Sequence, residues 1–157
     1  MSAQHIYDTA PLGALIRYSN GEPQPPARFK RKVRAWEHFN GVGRLTQKQP
    51  GSAGRHYVLP ASITLHVGSY GENGCIVLEL SRSFHVGSDL TFTVAELPPV
   101  GAARVVTSWQ EVDELRHLAR DVAAAEAWLR EHQYSNARIE VCISDTGEFA
   151  PAMGAAA

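Results

Sequence analysis

Cysteine is nearly absent: Cys75 and Cys142 are the only two in 157 residues. Two thiols cannot build a disulfide scaffold; one bridge is conceivable, and a pair of buried, reduced side chains is the plainer expectation. No apolar run approaches the roughly 20 residues a membrane-spanning helix needs. The opening Met1-Ser2-Ala3-Gln4-His5 lacks a charged segment followed by an apolar stretch, so no secretory signal is read there. A membrane partner is not expected, and the cytoplasm is the default compartment.

Catalytic and metal signatures are missing as well. Seven histidines are many for this length, yet no His-x3-His or Cys-x2-Cys pair accompanies them. His56, His66 and His85 are the one conceivable trio, with no carboxylate placed beside them, and surface histidines are the expected outcome. There is no Gly-x-Ser-x-Gly. Cys75 follows Gly74 at a turn and reads as the first residue of a strand. Gly41-Val42-Gly43 follows a predicted helix rather than a strand, the wrong setting for a nucleotide-binding fingerprint, and reads as a helix cap and hinge. Asp113-Glu114 are sequence neighbours, which splay apart on a helix and form a solvated face. No metal, cofactor or catalytic residue is assigned, and the expectation is a non-enzymatic protein.

Acidic residues are scarce in one place only. Between Arg17 and Lys48 there are eight Lys and Arg against Glu22 and Glu37, a net of +6; the rest of the chain nets −7. Five of those cations, Arg28, Lys30, Arg31, Lys32 and Arg34, fall within one heptapeptide. An overall charge of −1 therefore hides a strong separation of charge. A basic cluster is the footprint of a phosphate-bearing or acidic partner.

Periodicity predicts an α+β fold. Leu12, Leu15 and Ile16 suggest a short helix over 11–18, ended by Asn20-Gly21. The Pro-rich stretch 22–26 is a stiff connector. A second helix is expected from about Pro26 to Phe39, with Phe29, Val33 and Trp36 as its apolar stripe and the five cations on its other faces. Alternation of Ile63, Leu65 and Val67, then Ile76, Leu78 and Leu80, across the turn at 71–74 predicts a β-hairpin. Further strands are expected over 90–94 and 104–107, with edge strands near 44–47 and 56–59. That makes an antiparallel meander of about five strands over 44–107. Ser108-Trp109-Gln110-Glu111 matches a capping box, and Val112, Leu115, Leu118, Val122, Ala125 and Leu129 then suggest one long helix on the sheet. A break near Arg120-Asp121 would let Asp121 cap a second, alanine-rich helix. Ile139, Val141 and Ile143 form a closing strand, and 145–157 reads as a frayed tail after a single domain over 1–144. His66-Val67-Gly68-Ser69 recurs as His85-Val86-Gly87-Ser88, which is too short for a repeat family.

The stretch 12–21, with Arg28-Phe29-Lys30-Arg31-Lys32, Trp36 and residues 123–134, is similar to small uncharacterised accessory proteins of bacterial plasmids and integrative elements. The resemblance carries no catalytic residues. It implies work for a mobile element: contacting nucleic acid, or blocking a host defence complex such as a CRISPR or restriction system. Charge favours the first, with Arg28, Lys30, Arg31, Lys32 and Arg34 on phosphates and an exposed aromatic on a base. A protein-directed inhibitor is the alternative. A third outcome is that the aromatics face the core while the cations merely solvate the surface or face the acidic long helix.

Overall fold

The computed structural model describes residues 1–72 and 75–152 and is an α+β structure built on one large antiparallel sheet. Its elements run α1 (Ala3–Thr9), β1 (Leu15–Ser19), α2 (Lys30–Phe39), β2 (Gly41–Gln49), β3 (Ser52–Ala53) and β4 (Val58–Leu59). They continue with β5 (Ser62–Glu72), β6 (Cys75–His85), β7 (Thr91–Glu96), β8 (Ala103–Trp109), β9 (Val112–Ala119), α3 (Val122–His132), β10 (Ala137–Cys142) and β11 (Phe149–Pro151).

Strand β2 is the branch point. Its first half pairs with β1, which pairs on its other side with β7. Its second half pairs with β5, which carries β6. Gln47 of β2 also bridges Glu114 of β9, joining the β9-β8-β10-β11 wing. Strands β3 and β4 form a separate two-stranded ribbon.

Each sheet face is covered by its own cluster. Ile6 of α1 packs with Ile16, Tyr18, Leu45, Leu65, Phe92 and Val106, all buried. Val105, Ala119 and Ile139 pack against α3 through Ala125, Trp128 and Leu129. Neighbouring Val105 and Val106 thus serve opposite clusters, as alternation along a strand requires.

The predicted hairpin is present as β5 and β6, and Cys75 opens β6. The tip residues Asn73 and Gly74, and residues 153–157 of the expected tail, lie outside the described residues. The strands over 90–94 and 139–143 are present as β7 and β10. The stretches 44–47 and 56–59, expected at the sheet edge, lie instead in β2, the central branch point, and in β4 of the separate ribbon, while the strand over 104–107 lengthens to β8.

Four expectations are corrected. The helix over 11–18 is a loop and strand β1: Gly13 adopts φ +101°, a left-handed backbone that stops a helix. Ile16 and Tyr18 then face inward while Arg17 faces out. The helix lies earlier, at α1, where the Ser2 hydroxyl accepts from the His5 amide at 3.2 Å.

The long helix from residue 109 is instead the hairpin β8–β9 followed by α3. Gln110 and Glu111 both have positive φ, 49° and 64°, the two-residue turn that suits the twist of paired strands. The supposed capping box is that turn. The break near Asp121 is real: its side chain accepts from the Ala124 amide at 2.8 Å and caps α3.

The second helix begins at Lys30 rather than Pro26, and its apolar stripe does not reach the core. The sheet has nine strands rather than about five. One of them is β11, formed within the segment expected to fray. It pairs with β10, and its Phe149 ring lies 3.7 Å from the Arg104 guanidinium.

Candidate polyanion-binding helix

Helix α2 carries no buried residue. Phe29, at its N-cap, is 43% exposed, and Phe39, at its end, is 48% exposed. A helix without apolar burial needs other restraints. Three polar contacts supply them. The Trp36 indole N–H donates to the Glu22 carbonyl at 2.7 Å, tying the helix to the connector that precedes it.

Asn40, the buried C-cap residue, is the second tether. Its amide nitrogen donates to the Trp36 carbonyl at 2.9 Å and to Asn20 Oδ1 at 2.8 Å. Its oxygen accepts from the Ser19 hydroxyl at 2.6 Å and the Asn20 amide at 3.2 Å. The third is Arg82 of β6, whose guanidinium donates to the carbonyls of Glu37 and His38. These carbonyls are among those an α-helix leaves unpaired at its end, where a cation is also favoured by the dipole.

The other end has the opposite character. Arg28, Lys30, Arg31, Lys32 and Arg34 are all exposed; Arg28 immediately precedes the N-cap and the other four crowd the N-terminal half of the helix. The first turn contains no acid, and no side chain caps it. Cations beside the positive end of a helix dipole cost stability, typically about 0.3–1 kcal/mol each near the terminus. The Arg28 guanidinium lies 4.8 Å from the Phe29 ring centroid and the Lys32 ammonium 5.3 Å from it, so both flank that ring.

None of the five cations has a carboxylate partner among the described residues. The ion pairs there all use arginines elsewhere: Arg104, Arg116, Arg120 and Arg138. Asp113, Glu114, Asp121 and Glu140 are consumed in those pairs. The expectation that α2 faces an acidic long helix is not met: residues 112–119 are strand β9, and no carboxylate of β9 or α3 pairs with the five cations among the described residues. Beside the C-terminal end of α2 lies an open cleft of about 540 Å³ between Phe39 and the β6–β7 loop, with His38, Arg82, Ser88 and Asp89 at its edge.

The histidine trio does not assemble. His66 pairs with Ser81 and His85 with Ser62, at separate positions on the ladder, and His56 lies between β3 and β4. Among the described residues no group of three His, Cys, Asp or Glu side chains is placed to hold a metal ion. Gly41-Val42-Gly43 opens β2 rather than forming a hinge; at Gly41 any Cβ would stand 2.7 Å from the Tyr18 hydroxyl. Cys142 is buried and unbridged. No helix among the described residues is long and apolar enough to cross a membrane.

Sequence reasoning found the five cations but missed Asn40 and Arg82, which fix the helix. Asn40 was legible only as a helix stop, and Arg82 sits in a strand 44 residues beyond His38. No curated protein and no solved structure matches the chain. A family model does, over residues 1–146, nearly the whole length: the chain belongs to the family described as Uncharacterised conserved protein UCP036055.

Proposed function

We propose that this is a non-enzymatic protein that contacts nucleic-acid phosphates through α2, with Arg28, Lys30, Arg31, Lys32 and Arg34 as the contacting side chains. One observation carries the reading: five exposed cations without acidic partners are gathered at the end of the helix where they stabilise it least. Positive charge left unpaired at a cost to the helix is explained by an anion that binds there. Displaced counterions supply the affinity, so binding is expected to be independent of base sequence and strongly dependent on salt. Phe39 and the adjoining cleft offer an aromatic surface to an unpaired base. Accessory work for a mobile element, implied by the resemblance of residues 12–36 and 123–134, belongs to the same proposal.

The test is fluorescence polarisation with labelled single- and double-stranded oligonucleotides at low salt, for the wild type and for Arg31→Gln/Lys32→Gln. Saturable binding that weakens in the variant supports the proposal. Absence of binding at low salt, or equal binding by the variant, overturns it. A lysate pull-down that retains a defined protein complex through α2 and no nucleic acid would favour the inhibitor reading instead.

A further inference from the structure

A second cleft lies on another face of the sheet. Glu79 and Ser81 of β6 alternate with Arg82, so they point away from α2. They line a cleft of about 570 Å³ whose opposite wall comes from β9 and α3. That volume suits a small organic ligand.

The wall is a set of near-parallel rings. Trp128 of α3 stacks on His117 of β9 at 4.8 Å between centroids and 2° between planes. It stacks on His132 at 4.0 Å and 11°, and on Tyr134 at 5.7 Å and 11°. The His132 ring is held by a 2.9 Å hydrogen bond between Nδ1 and the Trp128 carbonyl. Four flat rings already parallel form a surface on which a further flat ring gains dispersion without reorganising the protein. Tyr134, at 39% exposure, leaves part of that surface accessible.

The polar lining sets the chemistry of the edge. Arg116 is paired with Glu114 at 2.8 Å and Arg44 donates to the Gly13 carbonyl at 2.6 Å, so neither is a free cation seeking an anion. Glu79 has no hydrogen-bond or ion-pair partner among the described residues. Among the Arg and Glu side chains lining the cleft, the unspent group is therefore a carboxylate, which accepts from N–H donors. A phosphate is disfavoured there. A flat, neutral ring with adjacent N–H donors meets both demands at once.

We propose that this cleft binds a nucleobase with an N–H donor edge, guanine being the fullest example. Its ring extends the Trp128 stack, and its N–H groups donate to Glu79. The site is independent of α2, so either can fail without the other.

The experiment is calorimetric titration of the full chain with guanosine, with uridine and methyl glucoside as comparisons, in the wild type, Glu79→Gln and Tyr134→Leu. Saturable binding of guanosine ahead of uridine, with no binding of methyl glucoside, is expected. Glu79→Gln should weaken guanosine by about tenfold, the scale of a charge-assisted hydrogen bond. Tyr134→Leu should weaken it as well, through the ring surface. No saturable guanosine binding, equal binding of methyl glucoside, or an unchanged affinity in Glu79→Gln would each overturn the assignment.

Discussion

Arg82 of β6 closes the end of α2 by donating to the His38 carbonyl, joining the edge of the sheet to a helix that has no buried side chain. The same guanidinium reaches the Glu37 carbonyl at 3.4 Å. Arg82→Ala removes both donors and the favourable charge at the helix C-terminus. The expected cost is about 1 kcal/mol. It should appear as faster amide exchange confined to α2, with exchange in β5 and β6 unchanged.

Asn40 should matter more, because it is buried and fully hydrogen-bonded. Asn40→Ala leaves the Trp36 carbonyl without its side-chain donor and the Ser19 O–H without its acceptor, a loss of about 2–3 kcal/mol. Chemical denaturation measures it. A change below about 0.5 kcal/mol, the range of ordinary surface substitutions, would contradict the role assigned to this side chain.

The apolar positions of α2 and of the sheet should separate sharply. Phe92→Ala opens a cavity in the main cluster and is expected to cost about 3–5 kcal/mol. Phe29→Ala changes only an exposed ring and should fall within about 0.5 kcal/mol. Thermal unfolding of the two variants checks the contrast, which reverses the expectation that Phe29 anchors the helix.

Acid should weaken the β8–β9–β10 wing. Arg138 bonds Asp113 and Glu140, and Arg104 bonds Glu140 at 2.7 Å. Burial opposes ionisation of Asp113, but hydrogen bonds from Arg138 and Ser108 and nearby arginine charge outweigh it and hold its pKa below the ordinary 3.8. Glu140 is held below 4.5 in the same way, with burial again opposed by Arg138 and Arg104. Since the unfolded chain then binds more protons in this range, stability is full above the ordinary values and falls as pH drops through the depressed ones. Denaturation midpoints between about pH 5 and pH 3 should show this loss, and Arg138→Gln should flatten it.

Legibility in the sequence followed the clarity of the local period. The β5–β6 hairpin and β7 read correctly because Ile63, Leu65 and Val67, then Leu78 and Leu80, then Phe92 and Val94 alternate with mostly polar residues. Strand β9 was hidden by a bulge: Leu115 pairs with Val106 and His117 with Val105, leaving Arg116 as the extra residue. That one residue shifts Leu115 and Ala119 onto opposite faces, so Leu115, Leu118 and Ala119 mimic helical spacing. The Ser108–Glu111 motif then supplied a false start signal. The basic cluster was legible from charge alone. What holds it in place was not, because hydrogen bonds from Asn20, Asn40 and Arg82 depend on the tertiary fold and leave no periodic trace. The ring set around Trp128 was missed for the same reason, since His117 and Trp128 come from separate elements.

The salt dependence of oligonucleotide binding tests the central claim most directly. With all five α2 cations on the phosphates of a single strand, the logarithm of affinity should fall against that of salt concentration with a slope approaching about −3.5. Arg31→Gln/Lys32→Gln should reduce the steepness by about 1.4, two contacts' worth. A slope near zero, or one unchanged by the double substitution, would contradict the assignment of α2 as the nucleic-acid-contacting element.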